Sequence, residues 1–252
     1  MEKIVFITGA TAGIGKAIAF TLAEQGYKLI ITGRRAQLLS NVEKTLRTKT
    51  KVLALNFDVR DFKQVEHVIN TLPKDWSTID VLINNAGLAA GLNPIDESDL
   101  NDWETMIDTN IKGLLYITKK ILPLMKSSNT KQIINIGSIA GKQVYPNGNV
   151  YCATKAAVDA LSQGMRIDLL EKGFKVTAIH PGMVETEFSM VRFKGNAEKA
   201  SKVYEGLKAL QAEDIANIVQ FILTLPPHVN INDLVVMPTA QATATIVNRK
   251  TE

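Results

Sequence analysis

Seven short runs of apolar, mostly β-branched residues punctuate the chain: KIVFIT, YKLIIT, KVLALNF, DVLIN, KQIINIG, KVTAIH and DLVVM. Between them apolar residues recur at three- and four-residue spacing. Trp103, Met106, Ile107, Ile111, Leu114 and Leu115 form one such series, and Val158, Leu161, Met165 and Leu169 another. That period belongs to a helix with one buried face. Several of the short runs are apolar without alternation, as expected of strands covered by helices on both faces. Strands separated regularly by helices predict βαβ crossovers, and hence an α/β chain with a doubly wound, parallel, seven-stranded sheet and helices on both of its faces. Residues 88–98 and 187–200 carry neither period and are predicted irregular. There is no internal repeat, low-complexity tract or linker, so residues 1–252 are read as one domain. Its cofactor half spans about 1–137 and its catalytic half about 138–252.

Composition changes this picture little. Apolar residues make up 46% and charged residues 21%, ordinary values for a soluble globular protein. The net charge of +4 is spread along the chain, which argues against nucleic acid or a membrane surface as partner. The single cysteine, Cys152, rules out an intrachain disulfide and a cysteine-based metal site, and fits a reducing cytoplasm. The apolar N-terminus is broken by a glycine-rich stretch and by Lys16, so it is read as a buried strand and helix rather than a secretory signal. No stretch approaches the roughly 18 apolar residues of a membrane helix. His67, His180 and His228 share no ligand spacing. No catalytic metal is expected, and His180 is read as structural.

Ligands of doubly wound sheets lie beyond the carboxyl ends of the strands, so candidate chemistry is sought there. The first strand runs into TGATAGIG, in which Gly9, Gly13 and Gly15 flank Thr11 and Ile14. Such a turn lets backbone approach a pyrophosphate while the following helix offers free N–H groups, or it serves only to connect strand and helix. The second strand ends in TGRR. Arg34 and Arg35 stand where a 2′-hydroxyl cofactor would meet an acid, and guanidinium groups match a 2′-phosphate, so NADP(H) is the expected cofactor. The alternative is a solvated basic helix start. Asp58, followed by Val59, could accept an adenine amino group or equally cap the helix beginning near Asp61. NNAG places Asn85, Ala86 and Gly87 at the fourth strand end. The fifth presents Ser138, with Tyr151 and Lys155 following in YCATK. The sixth ends in HPGMVET, offering Pro181, Gly182, Val184 and Thr186.

This set, in this order, resembles the short-chain dehydrogenase/reductase superfamily over essentially the whole chain. NNAGLAAGLNP, DWETMIDTNIKGLLYIT and EFSMVRFKGNAEKASKVYEGLKALQAEDIA followed by TLPPHVNIN resemble more narrowly its NADP-dependent 3-hydroxy acid dehydrogenase branch. The resemblance implies a single-domain Rossmann fold, a homotetramer, and a small 3-hydroxy acid or 3-oxo acid as substrate. It also implies Tyr151 as catalytic acid/base, Lys155 as its partner, Ser138 as the donor to substrate, and Asn110 as a link in a proton relay. Tyr151 and Lys155 are counted among the cofactor contacts too.

Residues four apart share a helix face, which brings Lys155 near the Tyr151 hydroxyl directly or through a ribose. A tyrosine with a pKa of about 10 is protonated at neutral pH, and neighbouring positive charge favours the phenolate. Arg192 is the candidate for holding a substrate carboxylate by a bidentate pair, its alternative being a surface arginine on a mobile lid. The competing functions are a general 3-ketoacyl or carbonyl reductase, a catalytically silent NADP-binding regulator, which ought to lack one of Ser138, Tyr151 and Lys155, and a nucleotide-sugar epimerase, which usually needs a longer substrate region.

Overall fold

Every one of the seven apolar runs forms a strand in the computed structural model, which describes residues 2–250. In chain order the elements are β1 (Ile4–Ile7), α1 (Gly13–Glu24), β2 (Lys28–Gly33), α2 (Ala36–Leu46), β3 (Val52–Asn56), α3 (Phe62–Asn70) and β4 (Val81–Asn84). There follow α4 (Leu100–Ile107), α5 (Leu114–Met125), β5 (Gln132–Ile136), α6 (Asn149–Asp168), β6 (Lys175–Pro181), α7 (Phe188–Arg192), α8 (Ala197–Lys202), α9 (Ala212–Thr224) and β7 (Asp233–Val236). The sheet order is β3-β2-β1-β4-β5-β6-β7, with every pairing parallel.

Successive residues of a strand point to opposite faces, and each face has its own core. Val5 and Ile7 of β1 join α1, α2 and α9 on one side. Ile4 and Phe6 join α3 and α5 on the other. Burial on both faces explains why the strands read as unbroken apolar runs. A polar seam crosses the second core: Asn84 Nδ2 donates to Asn135 Oδ1 at 2.9 Å and to Thr118 Oγ1 at 3.0 Å, and Asn135 Nδ2 donates to Ser162 Oγ at 2.9 Å. It fixes α5 and α6 relative to β4 and β5.

The chain leaves β1 towards β2 and β3, then returns to place β4 on the other side of β1. The connections on the two sides of this reversal diverge, which opens a crevice at the carboxyl edge. Two differences from the sequence reading concern the irregular segments. Residues 187–200 hold α7 and much of α8, and residues 88–98 include a 3-10 turn at Ile95–Glu97. Among the described residues no helix is long and apolar enough to cross a membrane.

Candidate active site

A cavity of about 610 Å³ fills this crevice. Its floor is the turn after β1, where Gly9 has φ +67°, a conformation that side-chain-bearing residues rarely adopt. Asn85 holds the turn in place: its Nδ2 donates to Thr8 O at 2.9 Å and to Gly9 O at 3.0 Å, while Thr8 Oγ1 accepts from Asn85 N and Ala86 N. A Cβ on Gly15 would fall 2.3 Å from Asn85 Nδ2 and 2.4 Å from Gly9 O. Gly9, Thr11, Gly13 and Ile14 line the cavity as expected, as do Asn85, Ala86 and Gly87. Gly15 does not. It packs closely against the Asn85 amide and Gly9 O. α1 begins with no side-chain cap and no acid in its first turn, leaving its N–H groups free for an anion.

Arg34 and Arg35 stand at one edge of the cavity with Asp58 and Val59. Arg35 is already shared, donating to Glu187 Oε2 at 2.8 Å and Thr11 Oγ1 at 3.0 Å, whereas Arg34 Nη1 lies 4.0 Å from Asp58. Asp58 caps no helix, since Asp61 caps α3. Burial pushes the Asp58 carboxyl up, but bonds from Arg60 outweigh it and hold the group below the usual carboxylate range.

At the centre, β5 delivers Ser138 and α6 delivers Tyr151 and Lys155, the last two 8% and 6% exposed. Ser138 Oγ accepts from Ala140 N at 3.1 Å. Lys155 Nζ donates to Ile136 O at 3.0 Å. Burial is the main cause that pushes the Tyr151 hydroxyl well above its ordinary value. Tyr145 adds to the rise, while Ser138 and Arg192 oppose it. The expected lowering of this tyrosine is thus overturned for these protein groups alone. Burial also pushes Lys155 down to about 8.

Asn110 is buried within a π-helical turn, Asp108–Gly113, that joins α4 to α5. Its side chain donates to Leu88 O and Thr154 Oγ1 and accepts from Leu88 N. It lies behind the cavity wall, although a Cβ on Gly87 would meet Asn110 Oδ1 at 3.2 Å and Lys155 Nζ at 3.3 Å.

The roof follows β6, where Pro181, Gly182, Val184 and Thr186 face the cavity. α7 brings Arg192 to the rings of Tyr145 and Tyr151. Its guanidinium carbon lies 5.4 Å from the Tyr151 ring centre and 5.3 Å from that of Tyr145, and Nη2 donates to Tyr145 Oη at 2.6 Å. Gly91 N donates to Arg192 O, Arg192 Nε donates to Gly91 O, and Lys194 pairs with Asp99 and Asp102, which fastens this segment to the loop before α4 and to the first turn of α4. Sequence reasoning missed Tyr145, Phe188, Gln241 and Arg249, which also line the cavity. Position offered one signal: Tyr145 stands between Ser138 and Tyr151.

A glycine turn at the switch point of a parallel sheet, together with a serine, tyrosine and lysine converging on one cavity, defines an oxidoreductase of the nicotinamide-binding Rossmann class. The family model described as short chain dehydrogenase matches residues 3–197, and the chain belongs to that family. An NADP-dependent 3-hydroxy acid dehydrogenase, YdfG, of Salmonella typhi is 50% identical over 96% of this chain and 97% of its own. Sulfoacetaldehyde reductase 2 of Chromohalobacter salexigens is 45% identical over 96% of each. The closed form of serine dehydrogenase complexed with NADP+ superposes with a TM-score of 0.91 at 46% identity, covering 98% of this chain and all of the other.

The cradle fits such a cofactor on its own geometry. Backbone approaches closely at Gly9, the first turn of α1 is uncapped, and the basic edge at Arg34 and Arg35 matches a 2′-phosphate.

The buried lysine carries a stability cost with a defined pH window. Its native pKa lies below the unfolded value, so the folded state loses the proton first. Stability therefore rises with pH between about 8 and about 10.5. Lys155→Met is expected to be more stable than the parent at pH 7, by on the order of 2 kcal/mol, with the gap closing towards pH 10.5. Denaturant unfolding at both pH values measures it; a variant that is less stable at pH 7 contradicts the assignment.

Proposed function

We propose that this enzyme transfers a hydride between NADP(H) and the C3 position of small 3-hydroxy acids and the corresponding 3-oxo acids. The observation that carries the reading is Arg192. A guanidinium whose carbon lies 5.4 Å from the centre of the Tyr151 ring would serve as an anion anchor in the cavity that Tyr151 and Ser138 also line. An alcohol bearing a nearby carboxylate would reach both at once. Two relatives are named for substrates that unite an acidic group with an oxidisable or reducible carbon, which supports the same reading.

Gly9, Thr11, Gly13 and Ile14 would hold the pyrophosphate, Arg34 and Arg35 the 2′-phosphate, and Asp58 and Val59 the adenine side. Asn85, Ala86, Gly87, Pro181, Gly182, Val184 and Thr186 would enclose the nicotinamide half. When bound, NADP+ supplies the acceptor for the hydride that leaves the carbinol carbon. Tyr151 takes the proton from the substrate hydroxyl, and Ser138 donates a hydrogen bond to the same oxygen. In reduction Tyr151 returns the proton to the carbonyl oxygen. Burial works against the phenolate and Arg192 offsets it only in part, so proton acceptance by Tyr151 would draw as well on the positive charge of Lys155 and of a bound NADP+. Lys155 Nζ and Asn110 Oδ1 both lie against Gly87, and Asn110 would serve as a relay link beside Lys155.

Assembly as a homotetramer in the cytoplasm belongs to the same proposal. Exposed apolar side chains at Phe221 on α9, Val235 on β7 and Ile167 on α6 support self-association, and sedimentation measures it.

Tyr151→Phe is expected to lose all but about 1% of turnover while still binding NADPH in a fluorescence titration. Retention of a large share of turnover would remove Tyr151 from the mechanism. Arg192→Ala should raise KM for a 3-hydroxy acid by about tenfold or more, the loss of one charge-assisted bond. An unchanged KM would return Arg192 to a purely structural role in the roof.

A further inference from the structure

His180 is wholly buried in β6, and its two ring nitrogens face different partners. Nδ1 lies 3.2 Å from Ser138 O. A carbonyl only accepts, so Nδ1 carries the proton whichever form the ring takes. The ring is packed hard under the serine turn, since a Cβ on Gly137 would fall 2.5 Å from Nδ1 and 2.7 Å from Cε1. Nε2 lies 3.5 Å from Oδ1 of both Asp159 and Asp233 and has no hydrogen-bond partner among the described residues.

Asp159 belongs to α6, one turn beyond Lys155 and two beyond Tyr151, on the same face. Asp233 opens β7. Lys142, just past the Ser138 turn, donates to Oδ2 of Asp159 at 2.9 Å and also to Oδ2 of Asp233. Asp159, His180 and Asp233 are close enough to share a cation. The Lys142 ammonium already spans the two carboxylates, however, and the remaining ring nitrogen is directed to backbone. The arrangement is therefore a brace between the serine turn, α6, β6 and β7.

We propose that His180 is a positioning residue: its Nδ1–H fixes the carbonyl of Ser138, and the Asp159–Lys142–Asp233 network locks the serine turn against the helix face that presents Tyr151 and Lys155. The separation of the Ser138 and Tyr151 hydroxyls follows from this brace. Burial pushes the imidazole towards its neutral form while Asp233 and Asp159 favour the charged one. The bond to Ser138 survives in both.

The inference rests on Ser138 and Tyr151 acting on substrate as proposed above, and its test separates the two readings. His180→Asn keeps a donor at the place of Nδ1, and His180→Leu removes it. The leucine variant should lose about tenfold or more in kcat with a 3-hydroxy acid, with the Kd for NADP+ by calorimetry unchanged. The asparagine variant should recover most of that loss. Equal impairment of both variants, or full kcat in His180→Leu, overturns the proposal. Should the leucine variant fail to fold, nitrogen NMR on the parent protein decides, since only His67, His180 and His228 contribute. A directly bonded proton on Nδ1 of His180 supports the brace and an unprotonated Nδ1 overturns it. A parent enzyme that turns over no 3-hydroxy acid would refute the functional reading while leaving this spectroscopic test intact.

Discussion

The clamp of Asn85 on the turn after β1 is the contact on which the site depends. Its amide donates to two successive carbonyls, Thr8 and Gly9, and closes the first strand end against the fourth. This is where the sheet order reverses, so the same contact sets the width of the crevice. Gly15 is required because the amide occupies the space a side chain would fill. The free N–H groups of α1 face the cavity only because the turn is held down in this way.

Around that clamp the catalytic groups are buried at a cost. Burial alone drives Tyr151 towards its protonated form and Lys155 towards its neutral form. A charge that opposes the burial of Tyr151 comes from outside α6. Arg192 comes from α7, which is fastened to the loop before α4 through Gly91, while Lys194 just beyond it pairs with Asp99 and Asp102 at the start of α4. The roof therefore contributes electrostatics as well as enclosure. Arg192, with Ser138, opposes the rise that burial and Tyr145 impose on Tyr151.

The strands were legible because parallel strands buried on both faces leave apolar runs, and their carboxyl ends gave the positions of Ser138, Asn85 and Arg34. Tyr151 and Lys155 were legible as a pair one helical turn apart. The bond that actually holds Lys155 was not, because its acceptor, Ile136 O, is backbone brought near by the tertiary fold. α7 and α8 have five and six residues, too few to show a helical period, and their hold on the chain comes from distant partners. Tyr145 remained hidden for a similar reason, since its role depends on Arg192, 47 residues away. The packing of Gly15 against the Asn85 amide was not legible, because a glycine pattern marks close approach without saying whether a ligand or an amide approaches.

The central claim is that the cavity selects an anionic 3-hydroxy substrate and a 2′-phosphorylated cofactor together. It is tested most directly by kcat/KM for a small 3-hydroxy acid, its neutral amide and a 3-ketoacyl thioester, each with NADP(H) and NAD(H). The account predicts that the acid with NADP+ exceeds both the amide with NADP+ and the acid with NAD+ by about tenfold or more, the worth of one charge-assisted contact in each case. Equal or better turnover of the amide or the thioester would contradict it.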